Sequence, residues 1–395
     1  MARPLRVLMV TGEYPPMEGG VADYTRLLGQ ALSDRGVVVH VLTSALARGL
    51  APLPPPTCHP LATSWGWTPL YGALRRVLDS VQPDLVNVQY QTAAYAMHPA
   101  VNVLPWAFPR VPVVTTFHDL RVPYLFPKAG PVRWWANLAL ARGSRAAVVT
   151  NAEDYEILAR CRLRSLAMIP IGSNITPCAP VGYNRATWRA RWGAGEDTLL
   201  ISYFGLLNDS KGGEELIRAL DALVRRGYNA ALLIVGGGAG TSDPTNREYV
   251  ARVRRLTESL GLTPRVVWTG YLTPEDASAA LASADVCALP YRDGASFRRG
   301  SLMAALVHGL PIVTTHPRVP LPELAHGRVA WLVPPSDAAA LADGIAHLAD
   351  DRALARSLGA AAAELAGAFD WRSIATRTLE VYHAITTAPS PSPAG

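Results

Sequence analysis

An alternation constrains this chain more than any single motif. Short runs that are apolar at nearly every position recur along it, separated by stretches with helical periodicity. "RVLMV" (6–10) leads through the loop "TGEYPPMEGG" into "VADYTRLLGQALSDRG". There Val21, Tyr24, Leu27, Leu28, Ala31 and Leu32 share one helical face, and Gly36 ends it. "VVVHVLT" (37–43) follows as the next run. Runs that are apolar throughout are buried on both faces, the condition of parallel strands covered by helices. "DLVNVQY" (84–90), "VPVVTTFHD" (111–119), "RAAVVTN" (145–151) and "SLAMIPIG" (165–172) continue the series.

A polar, Pro-containing stretch at 176–198 reads as a linker. A second series then begins with "TLLISYFG" (198–205), "AALLIVGGG" (230–238), "VVWTGYL" (266–272), "DVCALPY" (285–291), "LPIVTT" and "RVAWLVPP" (328–335). The prediction is an α/β protein of two Rossmann-like, doubly wound parallel-sheet domains facing a cleft. The expected boundaries are 1–180, 181–370, a helix at 371–388 returning to the first domain, and a disordered tail at 389–395.

A length of 395 residues exceeds one typical core. Hydrophobic content of 49% with 17% charged residues is that of a globular soluble protein. No apolar run reaches the ~18 residues that span a bilayer, and no signal peptide is read at Met-Ala-Arg-Pro. The four cysteines lack metal spacing. The expectation is a cytoplasmic chain without a structural metal. Residues 1–180 hold 16 Lys+Arg against 10 Asp+Glu, whereas the remainder holds 21 of each. The whole excess of +6 sits in the first half. An anionic partner such as a membrane inner face, a phosphorylated lipid or nucleic acid explains that asymmetry; a basic soluble surface explains it as well. Only Lys128 and Lys211 stand against 35 arginines. A lysine kept under such a bias is a candidate for a compact point charge.

Loops after strands are where such sheets bind ligands. Gly19 and Gly20 open a helix and suit a phosphate or diphosphate, although a plain turn needs glycines too. No Gly-Lys-Ser/Thr follows them, so this is no P-loop. In "FGLLNDSKGG" (204–213), Lys211 precedes a helix and can neutralise a diphosphate. "GGGAG" (236–240) is followed by Thr241, not by the further glycine of a dinucleotide fingerprint. His118 and Asp119 end a strand and are candidates for acceptor contact or proton handling. No Gly-x-Ser-x-Gly elbow supports hydrolysis. In "DGASFRRGSLMAALVHGLPIVTT" (293–315), Arg298 and Arg299 precede a helix start at Gly300, Ser301 and Leu302, a setting for an anion. "RVPYLFPKAGPVRWWANLALARG" (121–143) reads either as an interfacial segment or as a core helix with Trp134 or Trp135 buried.

These motifs in this order resemble the GT-B glycosyltransferases, and within them retaining family 4. The resemblance rests on "PPMEGGVADY", "TTFHD", "IPIGSNI", "FGLLNDSKGG", "LLIVGGG", "ADVCALPY", and "HGLPIVTT" followed by "WLVPPSDAAALADGI". It implies transfer of a sugar from a nucleotide-sugar to a glycan, lipid-linked or small-molecule acceptor, with retention and without metal or other cofactor. It places the acceptor in the N-terminal domain and the nucleotide in the C-terminal one. Catalysis is then mainly stabilisation of the departing diphosphate. Gly19, Gly20, Lys211 and residues 298–302 fall to the diphosphate; Gly205, Tyr271, Leu272 and Ser296 fall to the donor sugar or nucleotide. A helix around Trp371 would cross between domains, and closure would assemble the site.

Three positions depart from the family pattern. Leu206 replaces the arginine after Gly205, and Ser296 and Ala304 replace the two glutamates. Either Arg298 or Arg299 compensates for the lost cation, or the donor needs less grip at its ribose, or the protein binds without transferring. A nucleotide-sugar epimerase is a further alternative on this scaffold.

Overall fold

The computed structural model describes residues 3–17, 19–48, 56–120, 130–236, 238 and 244–387. Glu18, most of "GGGAG", the stretch 121–129 with Lys128, and the tail 389–395 lie outside them. The chain forms two compact units, Met1–Gly172 with Trp371–Gly395, and Ser173–Asp370.

Among the described residues the first unit holds a seven-stranded parallel sheet. Its strands are β1 (Arg6–Thr11), β2 (Val38–Ser44), β3 (Thr57–Ala62), β4 (Leu85–Tyr90), β5 (Val113–Phe117), β6 (Ala146–Val149) and β7 (Leu166–Met168), in the order β3-β2-β1-β4-β5-β6-β7. Helices α1 (Gly20–Ser33), α2 (Trp67–Val81), α3 (Leu104–Ala107), α4 (Gly130–Gly143) and α5 (Ala152–Ala159) join them. Strand β3, "TCHPLA", escaped the sequence reading. It is an edge strand, where Pro60 is tolerated because only one side must donate to a ladder. Helix α4 buries Leu138 and Leu140, and Trp134 packs on the core, whereas Trp135 is 63% exposed.

In the second unit the described residues give a six-stranded parallel sheet ordered β10-β9-β8-β11-β12-β13. The polar stretch read as linker contains α6 (Arg185–Arg191), capped by the Asn184 side chain. Its polarity misled because Arg189 points inward, where it is 4% exposed and pairs with Asp285 at 2.9 Å. The strands are β8 (Leu199–Gly205), β9 (Ala230–Gly236), β10 (Val266–Trp268), β11 (Val286–Leu289), β12 (Ile312–Thr315) and β13 (Trp331–Val333). Helices α7 (Gly213–Arg225), α8 (Pro244–Ser259), α9 (Pro274–Ser283), α10 (Gly300–Val307), α11 (Ala338–Asp350) and α12 (Arg352–Ala366) alternate with them. Strand β10 stops at Trp268, short of Tyr271 and Leu272. The last helix, α13 (Trp371–Thr387), belongs to the first unit. There Ile374, Ala375 and Tyr382 join the core with Tyr24, Leu28 and Leu32 of α1. Trp371 lies so close to Gly172 that a Cβ there would meet its ring at 2.8 Å.

Sheet order sets where ligands go. The order reverses beside β1 in the first unit and beside β8 in the second, with β4 and β11 on the far sides. The crevices of doubly wound sheets open at such points, at the carboxyl ends of the strands. The loops after β8 and β11 are those that carry Lys211 and the paired arginines.

Candidate active site

The loop after β8 ends in a single 3-10 turn, Asp209–Lys211, and hands over to α7 through Gly212. Gly212 has φ +68°, and a Cβ on it would lie 2.0 Å from the Pro290 carbonyl oxygen. Only glycine lets this loop close against the end of β11. That approach carries Lys211 inward. Its Nζ donates to Ser301 Oγ at 3.3 Å and lies 5.3 Å from the centroid of the Tyr291 ring. Ser301 Oγ in turn is 2.6 Å from the Tyr291 hydroxyl, which is fully buried. Loss of water pushes the Lys211 pKa down to about 7; Arg299 adds to the fall and Asp293 opposes it. Lys211 is therefore not the solvated lysine of an ordinary surface.

Arg299 caps α10 from the loop after β11. Its guanidinium pairs with Asp293, donates to Ser210 Oγ at 3.4 Å, and stacks 5.0 Å from the same Tyr291 ring. Its buried Nε has no hydrogen-bond partner. Arg298 reaches Asp293 at 3.8 Å. Both arginine side chains are about nine-tenths buried, at 13% and 12% exposure. Lys211 and Arg299 thus meet on the Tyr291 ring beside Asp293, with Arg298 next to them. The helix entrance adds backbone donors. The Leu302 amide already donates to the Arg299 carbonyl at 2.9 Å, which leaves Gly300 and Ser301 as the entrance amides. Gly300 lies beside Asn174: a Cβ on it would come 3.9 Å from Asn174 Oδ1.

The other predicted donor positions divide. Gly205, at φ +110°, ends β8 against Ser301, with 3.7 Å from its would-be Cβ to the serine Cβ. Ser296 shapes the turn: its carbonyl accepts from Arg299 N–H at 3.0 Å and its Oγ from Arg298 N–H at 3.4 Å. Ala304 is fully buried, and Leu206 is 41% exposed. Tyr271, 80% exposed, and Leu272 follow β10 in a turn. Among the described residues no hydrogen bond, ion pair or ring contact ties either to the Lys211 cluster.

The first unit offers a different chemistry. His118 follows β5, and its Nε2 is 2.9 Å from Gln89 Oε1 at the end of β4. An amide oxygen only accepts, so Nε2 carries the proton and Nδ1 is left as acceptor. Gln89 also bonds Asn87, whose amide donates to Val114 O at 3.3 Å and Thr116 Oγ1 at 3.2 Å. The His118 ring meets Tyr24 edge-on at 4.6 Å, and Tyr24 meets Trp371 at 5.3 Å. Burial pushes the His118 pKa down to about 4, so the ring is neutral at pH 7. Asp119 follows it, part-buried. Gly19 caps α1 and touches Glu13: a Cβ on Gly19 would lie 2.1 Å from Glu13 Oε2. Burial raises the Glu13 pKa. Gly20 opens the helix beside it. Among the described residues no group of three His, Cys, Asp or Glu could hold a metal ion, and no helix is long and apolar enough to cross a membrane.

The structure brings Lys211, Arg299 and Ser301, which the sequence singled out, together with Tyr291, Asp293 and Ser210, which it did not. Asp293 precedes Gly294 in a turn, and its contacts show only when that turn folds back on the arginines.

The sequence profile of Glycosyltransferase Family 4 matches residues 18–176, and that of Glycosyl transferases group 1 matches residues 198–351. The two matches occupy the two sheets in turn. The chain belongs to glycosyltransferase family 4, of the GT-B type. A GDP-mannose-dependent alpha-(1-6)-phosphatidylinositol monomannoside mannosyltransferase of Mycobacterium tuberculosis is 26% identical, over 93% of this chain and 94% of that one. A D-inositol 3-phosphate glycosyltransferase of Corynebacterium efficiens is 31% identical over 56% of this transferase and 52% of its own length. Sucrose-phosphate synthase from Thermosynechococcus elongatus shares the fold with a TM-score of 0.77, at 22% identity, over 96% of this chain and 99% of that one. Anabaena HepE in complex with UDP and glucose does so at 0.75, with 18% identity over 96% and 100%.

Proposed function

We propose that the transferase moves a sugar from a nucleotide-sugar to an acceptor hydroxyl with retention at the anomeric carbon, and that the Lys211–Arg299–Ser301 cluster holds the departing diphosphate. The observation that carries the reading is the convergence of Lys211 and Arg299 on the one buried Tyr291 ring at a helix entrance, with an Arg299 Nε that has no hydrogen-bond partner. Lys211 donates to Ser301 of that entrance, and Arg299 lies beside it largely buried. Two cations held together with water largely removed favour an anion beside them. Arg299 stands in for the cation missing at Leu206, since it shares Tyr291 with Lys211.

In the step, the bond from the anomeric carbon to the diphosphate oxygen breaks. The acceptor oxygen bonds to that carbon on the same face, and its proton passes to a diphosphate oxygen. Lys211 and Arg299 offset the growing negative charge without reorganising. No residue needs to titrate as a base, which suits a His118 held neutral. Its Nδ1 accepts a hydrogen bond from an acceptor hydroxyl. The basic excess of residues 1–180 favours an anionic acceptor, lipid-linked or a polyol phosphate; two relatives are named for phosphatidylinositol mannoside and inositol phosphate acceptors.

Thermal-shift titration with UDP, GDP, ADP and dTDP, followed by turnover with the matching sugar donors, tests the reading. Stabilisation by one nucleotide and an NMR spectrum showing a retained anomer are expected. No shift with any nucleotide, or an inverted product, would contradict it.

A further inference from the structure

We propose that Asp293 is the positioning residue of the donor-phosphate cluster, its carboxylate fixing Arg299 beside Lys211. The proposal rests on the donor reading above and assigns work to a residue outside the family's sequence pattern.

Asp293 sits in a turn that cannot drift. On one side Arg292 is tied to Glu215 at 2.9 Å, to Asp209 at 2.5 Å and to Glu214 at 2.7 Å. Its backbone N–H donates to Ser210 O at 3.0 Å. On the other side Gly294, at φ +86°, lies against the strand exit after β12, where a Cβ would meet His316 O and Arg318 N at 2.8 Å. The turn is therefore clamped to the loops after both β8 and β12. From this fixed point the carboxylate holds Arg299 by one oxygen and reaches Arg298 by the other. A flexible arginine loses conformational freedom when it is gripped, so less has to be lost when phosphate arrives.

The same carboxylate acts on Lys211 through space. The groups around Lys211 are Arg299, Asp293, Tyr291 and Ser301, with Tyr203 of β8 coupled to Tyr291 and Arg299. Asp209, Glu214 and Glu215 are engaged by Arg292. Asp293 is the group that favours the charged form of Lys211, against burial and Arg299. Replacing it by a neutral side chain removes that support.

The two effects separate by pH. At pH 5.0 Lys211 is charged with or without Asp293, so a variant reports only on the arginine. At pH 8.5 it reports on both. Calorimetric affinities for UDP, GDP, ADP and dTDP are measured at the two pH values for the wild type, Asp293→Asn, Asp293→Glu, Arg299→Ala and the Asp293→Asn/Arg299→Ala pair. For the nucleotide that binds, Asp293→Asn is expected to weaken affinity about threefold at pH 5.0 and about tenfold further at pH 8.5, the effect of about one pKa unit at Lys211. The threefold loss at pH 5.0 disappears in the Arg299→Ala background, because the carboxylate has lost the group it orients. Asp293→Glu keeps the wild-type pH dependence. An Asp293→Asn loss equal at both pH values, or one that persists in full without Arg299, would overturn the proposal; so would a Glu variant with the pH dependence of the Asn one. If the wild type binds none of the four nucleotides, the donor reading itself fails and this inference falls with it.

Discussion

The strand ends of the two units solve opposite problems. In the second unit, the loops after β8 and β11 bring Lys211, Arg298 and Arg299 together beside Asp293, with water largely removed. In the first, the ends of β4 and β5 carry Asn87, Gln89 and a neutral His118, joined by hydrogen bonds without an ion pair among them. In the function proposed above, one place receives the donor diphosphate and the other reads acceptor hydroxyl groups. Similar doubly wound sheets therefore support different chemistry, set by what stands on the loops at the switch point.

Four outcomes would break or sharpen that contrast. The largest concerns Lys211→Met, which keeps the bulk of the side chain and removes its charge. Turnover is expected to fall about 10²- to 10³-fold, as for loss of one preorganised electrostatic group, while acceptor KM changes little in steady-state assays. Next, Arg299→Ala is expected to lose about ten- to a hundredfold in turnover and Arg298→Ala only a few-fold. Arg299 touches Ser210, Asp293 and Tyr291, whereas Arg298 reaches Asp293 at 3.8 Å. Undiminished rates in both variants would sink the idea that an arginine replaces the one missing at Leu206. Third, His118→Ala should raise acceptor KM about tenfold, the worth of a hydrogen bond or two, and leave nucleotide affinity unchanged by calorimetry. A matching loss of nucleotide affinity would erase the distinction between the two regions.

The smallest effect is on stability against pH, and its direction differs for the two groups. Lys211 has a folded pKa of about 7 against 10.5 ordinarily. Between those values the unfolded chain binds more protons, so the ligand-free protein gains stability as pH rises, by at most about 1.4 kcal/mol per pH unit. His118, at about 4 against 6.5, contributes stability that is present above pH 6.5 and is lost as pH falls toward 4. Melting curves across pH should lose the alkaline slope in Lys211→Met and part of the acid slope in His118→Ala.

Much of the fold was legible because the central strands are apolar on every residue, and burial on both faces leaves no other reading. Strand β3 was hidden by Pro60 and its position at the sheet edge. Helix α6 was hidden because its arginines look solvated, although Arg189 is buried on Asp285. In the site, the scarcity of lysine singled out Lys211, and the structure places it against Ser301, ninety positions along the chain. Asp293 could not be read in the same way. Its partners follow it by five and six residues, but a loop of that length fixes no geometry until Arg292 and Gly294 are anchored on the loops after β8 and β12. Tyr271 and Leu272 were read as a continuation of β10, but the strand ends at Trp268.

The most direct measurement is proton uptake on nucleotide binding, obtained from calorimetry at pH 8.0 in buffers of different ionisation enthalpy. Lys211 is mostly neutral there when the site is empty, and a diphosphate beside it would restore its charge. The expected result is uptake of about one proton per nucleoside diphosphate bound, and none in Lys211→Met. Binding of similar affinity with no proton taken up by the wild type would place the diphosphate away from Lys211 and contradict the assignment of the cluster.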